Sequence, residues 1–230
     1  NRFGFALQLC ALRYPGRLLA PGEVIPLAVT RFLAAQLGIR PDELAGYAAR
    51  EETRHEHLAA LRAIYGYKMF TGRGARDLKA WLEGAAETAR SNEDLARRFV
   101  EQCRAAQTIL PGITVIERLC ADALVAAERR VDARVAGQLD DDMRTRLDAL
   151  LTEDAGGSVT RFVWLRQFEI GRNSADMNRL LDRLEFLQAL ALDRGILANV
   201  QPHRVARLRR QGERYFAGDL RDISGDRRLA

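Results

Sequence analysis

Few features of a catalytic, membrane or secreted protein are present in this chain, and each shortage narrows what the chain can be. It has three cysteines, Cys10, Cys103 and Cys120, an odd number set far apart with no Cys-x-x-Cys pair. That excludes a disulfide framework and a cysteine zinc site, and we read all three as small buried hydrophobes. No run approaches the roughly 18–20 apolar residues of a membrane span, and the first residues lack the charged start, apolar stretch and cleavage site of a signal peptide, so a cytoplasmic location is expected. Stretches of strictly alternating polarity are missing, as are a glycine-rich phosphate loop, a nucleophile elbow and a general base fixed by a neighbouring motif. His55-Glu56-His57 places its imidazoles on different sides of a helix, unlike the i,i+4 pair of a zinc motif. Asp140-Asp141-Asp142 has no spaced carboxylate partner for a hard cation and reads as a helix cap. Neither a metal nor another cofactor is expected in this stretch.

What remains is a helical chain of 230 residues, 47% hydrophobic, which suffices for packed cores. The period is helical from end to end, interrupted by Gly and Pro turns, so the fold class is all-α. Helices are expected over Arg2–Arg13, Val24–Leu37, Asp42–Ala49 and Arg50–Tyr65, the last with Leu58, Leu61 and Ile64 inward. These form a first module, 1–70. Ala75–Arg90, Glu93–Thr108, Val115–Leu139 and Asp141–Leu151 form a second, 71–155; Ser91 or Asn92 caps its second helix, and Thr114 with Glu117 reads as a capping box on its third. Ile116, Cys120, Ala123, Ala127 and Val131 make that helix's apolar stripe, with Arg118, Asp122 and Arg129 opposite. The segment 154–158 is the best linker. After it, 158–230 forms a third, mainly helical module that looks incomplete. There Val159–Phe168 is compatible with a strand or a buried helix, Ser174–Ala191 carries Leu180, Leu184 and Leu187, and Pro202–Ala217 carries Val205, Leu208, Tyr215 and Phe216. The chain opens at Asn1 without an initiator Met and reads as a piece of a larger protein.

Arg31–Ala48 has the spacing of a helix-turn-helix. Leu33, Ala34 and Leu37 face inward, Gly38 takes the left-handed turn, Ile39 plugs the corner, and Pro41, Asp42 and Glu43 start a second helix whose Leu44 and Tyr47 return to the core. Its acidic start would meet phosphates badly, so Arg50–Tyr65 is the better reader and the motif its support. On that helix Arg50, Thr53, Arg54 and His57 share a face. The net charge of +5 divides unevenly, +3 over 1–70, −3 over 71–157 and +5 over 158–230. Lys68 and Lys79 are the only lysines beside 34 arginines, which suits phosphate and base contacts as well as a GC-rich coding bias. Arg207, Arg210 and Arg214 fall at i, i+3 and i+7 and would share a face on their helix.

Four long strings, RFGFALQLCALRYPGRLL at Arg2–Leu19, QLGIRPDELAGYAAREETRHEHL at Gln36–Leu58, LPGITVIERLCADAL at Leu110–Leu124 and FVWLRQFEIGRNSADMNRLLDRLEFL at Phe162–Leu187, together resemble the N-terminal region of the large replicative transposases of the bacterial Tn3 family. The resemblance implies tandem helix-turn-helix-like modules that bind double-stranded DNA at the transposon's terminal inverted repeats. It also implies a distant catalytic domain of ribonuclease-H-like fold, whose acidic DDE set and Mg lie outside these residues, and self-association of the full-length protein. Carried onto this chain, the matching polar positions are Arg50, Thr53, Arg54 and His57, and then Thr114, Glu117 and Arg118. The candidate DNA contacts are therefore Arg50, Thr53, Arg54, His57, Arg62 and Lys68 in the first module, Thr114, Arg118 and Arg129 in the second, and Arg207, Arg210 and Arg214 in the third. The acidic balance of the middle module requires any binding there to use one local face. A helical oligomerisation or protein-interaction scaffold would use the same apolar stripes and leave the arginines solvated.

Overall fold

The computed structural model describes residues 2–20, 22–40, 51–152, 159–167, 173–223 and 225–230. The expected second helix of the helix-turn-helix, Arg50, the linker 154–158 and Phe168 lie outside the described residues. Twelve α-helices and no strand are found among the described residues, so the all-α class holds. None of these helices is long and apolar enough to cross a membrane. The chain divides into two compact units, Asn1–Leu124 and Val125–Ala230, and the division falls inside one long helix.

The first unit begins with α1 (Arg2–Arg13), α2 (Leu27–Leu37) and α3 (Glu51–Tyr65). Helix α2 starts three residues later than the periodicity suggests, because Pro26 takes the cap position with φ −54° and ψ 134° and the residue before a proline avoids the helical region. It ends as expected at Gly38, left-handed at φ 65°, where the Ile39 N–H donates to the Ala34 carbonyl at 3.1 Å and Ile39 packs on the cluster of Phe3, Leu7, Leu33 and Ala34. A second cluster joins Leu12 of α1, Leu61 of α3 and Ile109. Leu58 packs against it, but Ile64 is 66% exposed and Tyr65 takes its place, a correction to the expected stripe. An aromatic side chain reaches the core from one position further round the helix, which leaves the isoleucine outside.

Helices α4 (Gly72–Ala86) and α5 (Asn92–Ala105) pair, and α6 (Ile113–Ala136) runs on from them. Leu78, Leu82, Leu95, Phe99, Cys103, Ile116, Cys120 and Ala123 are buried in them, and Phe70 meets Phe99 edge to face at 5.9 Å. The Ser91 hydroxyl caps α5 by accepting from the Asp94 N–H at 3.1 Å. Helix α5 ends three residues before the expected Thr108, since Gln107 turns left-handed at φ 50°, held by its side chain donating to the Tyr65 carbonyl at 3.0 Å. The capping-box reading of Thr114 is corrected: α6 already starts at Ile113, with the Val115 and Ile116 N–H groups on the Gly112 carbonyl, so Thr114 lies within its first turn. Cys103 and Cys120 are buried hydrophobes as expected, and burial pushes the Cys103 thiol up to about 12. Cys10 is exposed instead.

The second unit contains the rest of α6, whose Ala127 and Val131 continue the stripe, and then α7 (Asp141–Ala149), α8 (Arg161–Arg166), α9 (Ser174–Ala189), a 3-10 turn at Arg194–Leu197, α10 (Pro202–Gly212), α11 (Ala217–Asp222) and α12 (Gly225–Leu229). Asp140 caps α7, its carboxylate accepting from the Met143 N–H at 2.6 Å. The ambiguous Val159–Phe168 stretch contains a helix, started by the Thr160 hydroxyl on the Val163 N–H. Three helices end earlier than the sequence suggests, and an arginine from another element occupies carbonyls at or just after each end. Arg144 donates to the Ala136 and Leu139 carbonyls at the end of α6, Arg146 to the Leu190 carbonyl beyond α9, and Arg166 to the carbonyl of Gly212, the last residue of α10, and to those of Glu213 and Tyr215 after it. On α9, Leu184 and Leu187 are about half exposed, while Arg183 is buried against the Trp164 ring. This corrects the expected inward stripe: a flat guanidinium sits on the indole where an aliphatic side chain was expected.

Leu61, at 0% exposure, anchors the α1–α3 core. Leu61→Ala is expected to cost about 2–5 kcal/mol and Ile64→Ala less than about 0.5, read as the difference in urea midpoints at unchanged slope. Equal effects would show that α3 does not sit as described.

Candidate nucleic-acid interface

In the first unit, three separate segments cross at the start of α6. The Leu110 N–H donates to the Gly16 carbonyl at 2.8 Å, the Lys68 N–H to the Gln107 carbonyl at 2.8 Å, and the Ile109 N–H to the Lys68 carbonyl at 2.8 Å. Lys68 and Thr108 thereby form a parallel bridge. Gly16 is required here twice over. Its φ is 108°, and a Cβ would come within 3.1 Å of the Arg104 side chain. Around this crossing lies an open groove of about 350 Å³, lined by Arg17, Met69, Phe70, Leu110, Gly112 and Ile113 among others.

The groove borders the N-terminal end of α6. That end carries no acidic residue in its first turn, so the partial positive charge of the aligned peptides is uncompensated there. Ile113 is 73% exposed. Thr114, Glu117 and Arg118 are exposed as well and share a face at i, i+3 and i+4. Lys68 is exposed on the bridge beside them. Of the expected contacts, Thr114 and Arg118 share this face of α6, and Lys68 bridges Thr108, five residues before that helix begins. The surface offers a cation, a hydroxyl, a carboxylate acceptor, a guanidinium and an apolar side chain.

The polar face of α3 is placed differently. The Arg54 guanidinium donates to the Leu19 carbonyl at 2.6 Å. His57 stands edge-on to Phe5, 5.4 Å between ring centres, and burial lowers its pKa from the ordinary histidine value. Thr53 is half-buried, and Arg62 is exposed on another side of the helix. Glu52, His55, Glu56, Ala59, Arg62, Ala63 and Ile64 are exposed on α3, a mixed surface in which acids outweigh arginine. Two neighbours were missed in the sequence: Arg104 lies over the exposed Tyr14 ring at 4.9 Å, and Arg17 forms an ion pair with Glu23, which holds that carboxyl down at about 2. The Tyr14-Pro15-Gly16 turn signalled a chain reversal but not which cations would meet there.

In the second unit, Arg129 is exposed on α6. Arg207 is bound to Glu128 at 2.6 Å. Arg210 is exposed and its Nε donates to the Ala206 carbonyl at 3.3 Å. Arg214 lies beyond the end of α10, so that helix carries two of the three expected arginines, Arg207 held by a carboxylate and Arg210 by a backbone carbonyl of its own helix. Among the described residues no group of three His, Cys, Asp or Glu side chains could hold a metal ion.

A family model described as a domain of unknown function (DUF4158) matches residues 1–123, nearly the extent of the first compact unit. Across its whole length the chain is 37% identical to the transposase for transposon Tn3926 of Escherichia coli and 34% identical to the transposase for transposon Tn501 of Pseudomonas aeruginosa. It is the N-terminal region of a Tn3-family transposase. The similarity reaches the transposase for transposon Tn1546 of Enterococcus faecium at 27% identity. The chain spans 23% of the length of the first two of these relatives.

A half-buried His57 makes the α1–α3 packing acid-sensitive. Its folded-state pKa is lower than in the unfolded chain, so the unfolded state takes up the proton first and stability falls as pH drops through the ordinary value near 6.5. The urea midpoint at pH 5.5 is expected to fall below that at pH 7.5 by less in His57→Gln than in the parent chain. An unchanged difference would place the acid sensitivity elsewhere.

Proposed function

We propose that this region of the transposase binds duplex DNA at the terminal inverted repeats of its transposon, with the N-terminal end of α6 in the major groove. The supporting observation is the exposed start of α6, free of acidic residues in its first turn and braced by three backbone hydrogen bonds to segments far away in sequence. Arg118 suits the O6 and N7 acceptors of guanine, Glu117 the amino group of cytosine, and Ile113 a thymine methyl group. Thr114 donates to a base edge or phosphate, and Lys68 neutralises a phosphate. Arg54 and His57 act at one remove, fixing α3 against α1. Arg62, Arg129 and Arg210 supply further phosphate contacts, while Arg207 is held by Glu128. DNA cleavage and joining, with their Mg requirement, fall to the remainder of the protein, and binding by this region needs no metal.

The test is an anisotropy titration of the chain with a duplex carrying the cognate inverted repeat and with a scrambled duplex, in EDTA, over a range of salt concentrations. We expect preference for the repeat by about 10³-fold or more, with affinity falling as salt rises. Arg118→Ala should reduce that preference by about 10- to 100-fold. Lys68→Gln should weaken binding to both duplexes alike and lower the salt slope by about 0.9. Equal, weak binding of the parent chain to both duplexes would favour a protein-interaction scaffold instead.

A further inference from the structure

A row of cations on α4 has no role in the reading so far. Arg73, Arg76 and Lys79 recur every three residues and are all exposed. Arg73 is 88% exposed along its side chain, and its nearest carboxylate, Asp77, stands 3.9 Å away and is itself 70% exposed, so it neutralises little in water. The row starts beside the groove already described: Met69 and Phe70 line that groove together with Ile113, and α4 begins two residues after Phe70. Helices α4 and α6 therefore both start at the same groove, and neither has an acidic residue in its first turn.

The small residues of α4 fit a close external approach. Gly84 is exposed, and a Cβ built on it would meet nothing within 4 Å. Glycine within a helix is unfavourable relative to alanine, and no neighbour in the described structure requires it here. Ala80 and Gly84 lie one and two turns beyond Arg76, and the exposed Glu83, four residues after Lys79, closes the far end of the row with an acid. The Thr71 hydroxyl at the head of the helix makes no capping hydrogen bond.

We propose that α4 lies along the sugar–phosphate backbone of the duplex whose major groove receives α6, with Arg73, Arg76 and Lys79 each contacting a phosphate. The inference rests on the DNA-binding reading above. At 1.5 Å per residue the three side chains leave the helix over about 9 Å, and their length lets them fan out to successive phosphates of one strand. The contacts add affinity and register rather than sequence preference, because phosphates carry no base identity.

The test uses the same chain and duplexes. Arg73→Gln, Arg76→Gln and Lys79→Gln combined should weaken binding to repeat and scrambled duplexes by the same factor and lower the salt slope by about 2 to 3, leaving the preference ratio unchanged. A charge-matched control, Arg31→Gln, Arg90→Gln and Arg221→Gln, should lower the slope far less. Circular dichroism should show equal helix content in all three proteins. If the parent binds the repeat preferentially and the α4 triple variant keeps its slope, or the control loses as much, the α4 proposal fails while the DNA-binding reading stands. If the parent shows no preference for the repeat, that reading fails and the α4 proposal with it.

Discussion

The backbone crossing of Gly16, Lys68 and Gln107–Leu110 is the constraint on which the first unit depends. Three hydrogen bonds join segments separated by about forty to ninety residues, and Ile109, between two of them, is inserted into the core of Leu12 and Leu61. The loop before α6 is thus part of the α1–α3 core. A loop fixed in this way gives the helix after it a defined direction. Each bond adds only about 1 kcal/mol net, yet leaving these amides unpaired would cost more than forming the bonds gains, so the crossing is effectively all or none. The proposed reading of base edges would require positioning of this kind, since a small displacement of Arg118 would lose its geometry with a base pair.

Arginine serves two purposes in this chain, and the two units divide them. In the second unit it is mainly an internal ligand. Arg144, Arg146 and Arg166 occupy carbonyls at helix ends, Arg227 makes a two-pronged contact with the buried Asp132, and Arg228 and Arg207 pair with Asp148 and Glu128. A planar fork of donors can serve two or three divergent carbonyls at once, which an ammonium group cannot, so the scarcity of lysine has a structural basis there. The +5 balance of residues 158–230 therefore overstates the cation available to an external partner. The opposite holds for 71–157, where a net −3 conceals the cationic row on α4.

The sequence disclosed the helices well because the signals that define them are local. Gly38, Ser91 and Asp140 act as expected because a cap involves only a few consecutive residues. The inward stripe of α6 follows from its period alone. Other features depended on distant partners. Arg54 and His57 fit a base-reading pattern as well as they fit the Leu19 carbonyl and the Phe5 ring, and no spacing rule distinguishes these. Leu184 and Leu187 have the period of a buried face, but an arginine on an indole ring occupies the inside of α9. Helix ends were overestimated where an arginine from another element satisfied the terminal carbonyls, because a rule based on glycine and proline has no term for that. That Thr114, Glu117 and Arg118 share a face of α6 follows from helical spacing, whereas the placing of Lys68, also an expected contact, depends on a bridge to Thr108 that no local pattern predicts.

The distribution of charge in the first unit favours one orientation toward a polyanion. The outward surface of α3 presents Glu52 and Glu56 beside His55 and Arg62, whereas the starts of α4 and α6 present Arg73, Arg76, Lys68 and Arg118 around a groove without acids in either first turn. On the proposed DNA-binding reading, long-range repulsion at one surface and attraction at another would orient an approaching duplex before any base is read, an effect that weakens as salt shortens the screening length. A uniformly basic unit would bind DNA in many orientations, most of them unproductive. On the same reading, acids on the outer surface of α3 would cost overall affinity but suppress those encounters, so a modest net charge is compatible with selective binding.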